Sequence, residues 1–205
     1  MDIYENAKKL FFKENKVDKE NTKIIFEITL SNLRADGKIN ERDFLDRAEL
    51  LCSLGQNVMI TNFKEYYKLT EYFSEFTKNR MGLAMGVDSM VKVFDEKYYR
   101  NLSGGILEAV GKLFFKDLKI YMYPSKQTNA TEIITSKNLK VHPRMKELYK
   151  FFKRNGKLVD IQEYDSKILH VNSKTILEMI SKQEKGWEAM LPEGISDLIK
   201  IRKLL

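Results

Sequence analysis

Short apolar runs that end on small polar residues alternate along this chain with stretches of helical periodicity. The clearest runs are Asn57-Val58-Met59-Ile60-Thr61-Asn62 and Met81-Gly82-Leu83-Ala84-Met85-Gly86-Val87-Asp88-Ser89. Runs of this length bounded by turn residues read as strands buried on both faces. Between them, residues 63–78 carry Phe63, Tyr66, Tyr67, Leu69, Tyr72, Phe73 and Phe76 at helical spacing, a pattern of core packing rather than a stacking platform. Strand, helix, strand in this order predicts a parallel sheet with helices on its faces.

The same reading extends in both directions. Ile3, Ala7, Leu10 and Phe11 make residues 1–20 a short amphipathic helix, and 23–30 is β-rich, although Ile25 interrupts its alternation and leaves a helical reading open. Asp36-Gly37 signals a turn, Asn40 caps a helix through Cys52, and Gly55 stops it. A helix begins near Ser89, 95–103 reads as loop or broken helix, Ser103-Gly104-Gly105 opens a helix over 106–115, and 118–123 is a strand stopped by Pro124. Residues 125–140 form a polar excursion with room for a short hairpin. Helices follow over 143–154, 173–183 and 194–203, with 157–161 as a short extended link. The predicted fold is α/β, a mostly parallel sheet with helices on both faces, Rossmann-like or half-barrel-like, plus a C-terminal helical extension. The expected divisions are a helical arm at 1–22, an α/β core at 23–123, and an excursion with C-terminal helices at 124–205.

Composition narrows the class. With 205 residues, 43% hydrophobic and 32% charged, the chain has material for a real core, and ten Gly with three Pro argue against long linkers. The formal charge is +7, but Lys and Arg are scattered, so nucleic acid is a disfavoured partner. The single Cys52 in Leu50-Leu51-Cys52-Ser53-Leu54 reads as a small buried hydrophobe. The first residues lack a signal-peptide core and no stretch has the apolar length of a membrane span, so the expected location is the cytoplasm, with no membrane partner.

Chemistry is sparser than architecture. Parallel sheets bind ligands beyond the carboxyl ends of their strands, where Asn62, Asp88 and Ser89 would lie. Asp88 is the carboxylate best placed for proton transfer, with helix capping as its alternative. Ser103, Gly104 and Gly105 at a helix start offer amides and a dipole to a phosphate, or simply an N-cap with tight packing. Arg34 would project from the first strand toward the same crevice, and Asp43 and Asp46 share a helix face, with Arg47 four residues beyond Asp43, which makes Asp43 a catalytic candidate in an acid pair or substrate clamp, or else part of an acidic first turn with an i,i+4 ion pair. Two His and one Cys form no zinc or nucleophile constellation. Carboxylate-bound magnesium is compatible with these residues and required by none. No GxGxxG or Walker sequence occurs.

Arg42-Asp43-Phe44-Leu45-Asp46-Arg47, Val58-Met59-Ile60-Thr61-Asn62-Phe63, Phe94-Asp95-Glu96-Lys97-Tyr98-Tyr99 and Gly104-Gly105-Ile106-Leu107-Glu108-Ala109 together resemble the carboxyl-terminal half of a bacterial family of cytoplasmic proteins. Its members carry inconsistent labels, nicotinate-nucleotide (or nicotinamide-nucleotide) adenylyltransferase and TonB-dependent receptor. The resemblance covers residues 38–200 and implies a coherent α/β module. It transfers no catalytic residue, because the HxGH motif of the adenylyltransferases is missing here. The receptor label conflicts with the absence of alternating barrel strands.

The function expected from these readings is binding of a phosphorylated small molecule or nucleotide, with nucleotidyl transfer as the enzymatic form. Asn62, Asp88, Ser103, Gly104 and Gly105 would line the site. The alternatives are a non-enzymatic interaction module, including self-association into a homo-oligomer, and a weak RNA binder.

Overall fold

The computed structural model describes residues 1–30, 34–35, 38–39, 41–115, 117–126 and 131–202. Of residues 34, 35, 38, 39, 41, 43, 44 and 174, only the backbone is described. In chain order the elements are α1 (Asp2–Phe11), β1 (Phe26–Thr29), β2 (Arg34–Ala35), β3 (Lys38–Ile39), α2 (Glu41–Ser53), β4 (Val58–Thr61), α3 (Tyr66–Phe76), β5 (Met81–Gly86), α4 (Val87–Val93), α5 (Gly105–Phe114), β6 (Leu118–Tyr123), β7 (Ser125–Lys126), β8 (Ile133–Ile134), α6 (Lys146–Arg154), β9 (Leu158–Asp160), α7 (Ser173–Ser181) and α8 (Ile195–Arg202). Short 3₁₀ turns lie at Glu96–Tyr99, Pro143–Met145 and Trp187–Met190. The fold is α/β with parallel sheets and helices, as the periodicity predicts.

The chain forms two compact units. One comprises Met1–Asn21 with Glu65–His170, the other Thr22–Lys64 with Val171–Leu205. The expected continuous core at 23–123 is corrected by the strand pairing. β1 pairs with β4 alone, from Phe26↔Val58 to Thr29↔Thr61, whereas β5 pairs with β6, and β6 with β9. The expected extension at 124–205 is likewise divided: α6 and β9 complete the first unit, and α7 and α8 the second.

In the first unit, β6 is the central strand and its alternation decides the layering. Leu118, Ile120 and Met122 are fully buried in a cluster with Met90 and Val93 of α4, Ile106, Ala109, Val110 and Leu113 of α5, and Tyr149 and Phe152 of α6. Tyr121 and Tyr123 point the other way, onto Ile3, Ala7, Leu10 and Phe11 of α1. Period-2 side chains thus give the sheet two apolar faces, one for each helical layer. Gly82 is what lets α1 approach, since a Cβ there would lie 2.9 Å from the Phe11 ring and 3.0 Å from that of Tyr121. Three ion pairs fasten the segment after α1: Glu14 meets Lys119 at 2.6 Å and Arg80 at 2.8 Å, and Arg80 meets Asp117 at 2.6 Å. Burial works to raise the Glu14 carboxyl, but hydrogen bonds from Lys119 and Tyr121 and the nearby cationic charges outweigh it and hold it below the usual carboxylate range.

The second unit is built on the short β1–β4 pair, with α2 against β4. Its apolar cluster joins Ile176 of α7, Trp187, and Ile195 and Ile199 of α8 to Leu50 and Leu54, so Trp187 anchors the C-terminal helices. Asp36-Gly37 and Asn40 lie outside the described residues; β2 and β3 on either side pair antiparallel, Arg34↔Ile39 and Ala35↔Lys38. Cys52 is exposed rather than buried, because the inward face of α2 is taken by its neighbours Leu50 and Leu54.

Candidate functional site

Strand order bears first on where a ligand could sit. The crevice of a doubly wound sheet opens where strand order reverses. In the first unit the order β5-β6-β9 follows the chain without reversal, as in the half-barrel alternative. Asp88 and Ser89, at the end of β5, therefore border no such crevice within this unit. Asp88 is exposed and occupies the second position of α4, which begins two residues earlier than expected, with Gly86 as an N-cap that makes no side-chain bond. Asp88 is thus neither a cap nor a buried acid.

The Ser103-Gly104-Gly105 turn is also corrected. Gly104, not Ser103, is the N-cap of α5, and its amide donates to Glu108 Oε2 at 3.0 Å. The Gly105 amide donates to the Leu102 carbonyl at 3.0 Å. A phosphate would have to displace the chain's own carboxylate, which the Gly104 amide and then Lys112 hold below its ordinary range. The Gly104 and Gly105 amides, predicted to cradle an anion, are already satisfied from within.

The polar excursion is tied down beside β9. Asp160 takes the Ser136 amide at 2.8 Å and the Ser136 hydroxyl at 2.6 Å, while the Ser136 carbonyl accepts from Tyr149 and from Lys153, each at 2.9 Å. Burial pushes the Tyr149 phenol up to about 12. Each of these groups is spent on fixing residues 133–139 to α6 and β9, and the hairpin expected in this stretch is the β7–β8 pair.

In the second unit, polar side chains gather on one face of the β1–β4 pair. Along β1 and β4, the side chains of Glu27, Thr29, Met59 and Thr61 share one face of the pair. Thr29 and Thr61 are buried, and both threonines are committed near the carboxyl edge: the Thr29 hydroxyl donates to the Phe63 carbonyl at 2.8 Å, and Thr61 Oγ1 accepts from the Phe63 amide at 3.3 Å. The Thr61 hydroxyl donates in turn to Glu27 Oε1. Glu27 thus leans along the sheet toward the strand ends. Burial raises its carboxyl above the usual range, against the lowering effect of the Thr61 bond. Among the described residues, no second hydrogen bond to Glu27 is formed. Asn62 and Lys64, just past β4, are both exposed. Comparison with protein-family models, with curated proteins and with solved structures finds no match.

Of the residues singled out by sequence, Asn62 and Arg34 fall in this second unit with Asp43, and Asp88, Ser89, Ser103, Gly104 and Gly105 fall in the first. The side chains of Arg34 and Asp43 are not among those described. Among the described residues, no sheet joins the two groups. Glu27 escaped sequence reasoning because a glutamate in a β-rich run reads as the solvated half of an alternating strand. The usable signal was the matched threonine, Thr29 and Thr61, at the last position of each paired run. Among the described residues, no group of three or more His, Cys, Asp or Glu is placed to hold a metal ion, so magnesium gains no site. No helix among them is long and apolar enough to cross a membrane.

Proposed function

We propose that this chain binds a small phosphorylated, hydroxyl-bearing molecule at the carboxyl edge of the β1–β4 pair. The observation that carries the reading is Glu27, a half-buried carboxyl that reaches Thr61 near the strand ends through one oxygen, with no second hydrogen bond formed among the described residues. A carboxyl whose proton affinity is raised by burial, at the end of parallel strands, is the type of group that binds or exchanges a proton with a ligand. The exposed Asn62 carboxamide and Lys64 ammonium, at the end of the adjacent strand, supply a neutral donor and a positive charge suited to a phosphoryl group. The resemblance of Val58 to Phe63 to a family carrying an adenylyltransferase label adds a mononucleotide to the candidates.

Thermal-shift and calorimetric titration with inorganic phosphate, ribose 5-phosphate and AMP tests the reading. At least one of the two organic phosphates should stabilise the chain, with Glu27→Gln and Asn62→Ala each weakening its binding by about tenfold, the order expected for one lost ligand hydrogen bond to a charged or polar group. Ser103→Ala and Asp88→Asn should leave it unchanged. Stabilisation by none of the probes, or binding indifferent to both Glu27→Gln and Asn62→Ala, overturns it.

A further inference from the structure

The outer face of the first unit carries a groove and a ridge of opposite character. The groove, of about 820 Å³, runs between α3 and α5 and is lined by Glu71, Glu75, Glu108, Lys112, Met81 and Phe115, among others. Its α5 wall carries Gly111 and, just past the helix end and four residues on, Phe115. Phe115 is 80% exposed, and a Cβ at Gly111 would meet nothing within 4 Å, so this part of the wall is apolar and open to close approach. Charge in the groove is unbalanced, three carboxylates against one ammonium. Lys112 is shared between Glu108 at 3.1 Å and Glu71 at 3.7 Å, and no ion pair to Glu75 is formed among the described residues.

The ridge is the solvent side of α6. Phe151 stands there 57% exposed, on the same side as Glu147, Lys150 and Arg154, with Lys150 paired to Glu147 at 2.6 Å. That is two cations against one carboxylate, opposite in sign to the groove. An exposed phenylalanine on a strongly amphipathic helix whose other face is fully used by the core is not explained by folding. The two features adjoin: α5 and α6 meet through the Phe114–Phe152 stack, ring centroids 4.3 Å apart, in one helical layer.

We propose that the α3/α5 groove receives α6 of a second copy of this chain, with Phe151 against the Gly111–Phe115 wall and Lys150 and Arg154 against Glu75 and Glu71. The second copy is the occupant because the complementary ridge, in charge and in its aromatic knob, is on the same surface. Groove and ridge lie side by side, so a two-fold axis can seat each ridge in the opposite groove and make the contact twice. Opposite charges set the register and the salt dependence, and the buried aromatics supply the affinity.

Sedimentation analysis of the full chain over a concentration series at low and high salt tests this. The expected result is a monomer–dimer equilibrium that weakens with added salt. Phe115→Ser and Phe151→Ser should each raise the dissociation constant by about tenfold or more, while circular dichroism stays unchanged because both side chains point to solvent. Glu75→Lys and Lys150→Glu should each weaken the dimer, and the double variant Glu75→Lys/Lys150→Glu should recover it, which a loss of folding would not allow. A chain that stays monomeric at every concentration, or a dimer indifferent to both phenylalanine variants, overturns the proposal. So does a monomeric chain whose groove binds a cationic amphipathic peptide instead.

Discussion

The two parallel sheets of this chain differ in what their strands bury. In the first unit β6 has helices over both faces, and Leu118, Ile120 and Met122 are fully enclosed. In the second, β1 and β4 form a two-stranded pair in which no apolar strand residue is fully buried, and Ile60 is 45% exposed. The buried side chains of that pair are Thr29 and Thr61, alongside the half-buried Glu27. The first sheet is thus a core whose polar neighbours are spent on fastening loops. The second is a thin pair that keeps a half-buried carboxyl, Glu27, with a single hydrogen bond among the described residues. A sheet packed on both sides has little spare chemistry, and a lightly packed one can carry a site at the expense of stability.

The largest test of this contrast is truncation of equivalent apolar residues. Ile120→Ala should cost about 2–5 kcal/mol, the range for emptying a fully buried aliphatic site, whereas Ile60→Ala should cost less than about 1 kcal/mol because its side chain is already half in water. Chemical denaturation of both variants, followed by Trp187 fluorescence for the second unit and far-ultraviolet dichroism for the whole chain, measures the gap. Equal losses would remove the distinction.

A second test targets polar groups spent on structure. Asp160→Ala strands the Ser136 amide and hydroxyl, and should cost about 1–3 kcal/mol and open residues 133–139 to limited proteolysis. Asn62→Ala, on the open edge of β4, should leave both stability and proteolysis at the wild-type level.

The smallest effect separates the units by sign. Glu14 has a lowered carboxyl in the folded state, so its contribution is present above the unfolded value and is lost as pH falls through the folded one. Glu27 is raised, so its contribution is complete below the unfolded value and is lost as pH rises through the folded one. Hydrogen exchange, corrected for intrinsic rates, should show acidification from neutral pH loosening the segment around Glu14 and tightening β1 and β4. Glu27→Gln should flatten the second response and leave the first in place.

Much of the fold was legible as local pattern. The helices over residues 63–78, 106–115 and 173–183 and the strands at 57–61, 81–87 and 118–123 all stand within a few residues of their predicted bounds, because period 3.6 and bounded apolar runs are properties of neighbouring residues. Leu158–Asp160 was legible as extended, but its place beside β6 was not, since three residues carry no record of their partner. The site was less legible than the fold. Ser103-Gly104-Gly105 has the composition of an anion cradle, but four residues later Glu108 turns back and fills it. Cys52 sits among apolar neighbours in sequence and faces water in space.

The sequence by itself determined most of the longer helices and strands, the α/β class, and the amphipathic face of α1. These follow from side-chain spacing and local turn chemistry. Tertiary structure alone decided that four predicted strands serve two sheets, that the C-terminal helices are shared between units, and that Glu27 meets Thr61. The reason is physical: spacing along a chain fixes which face a residue occupies, whereas pairing and enclosure depend on which distant segment supplies the remaining apolar surface and hydrogen bonds.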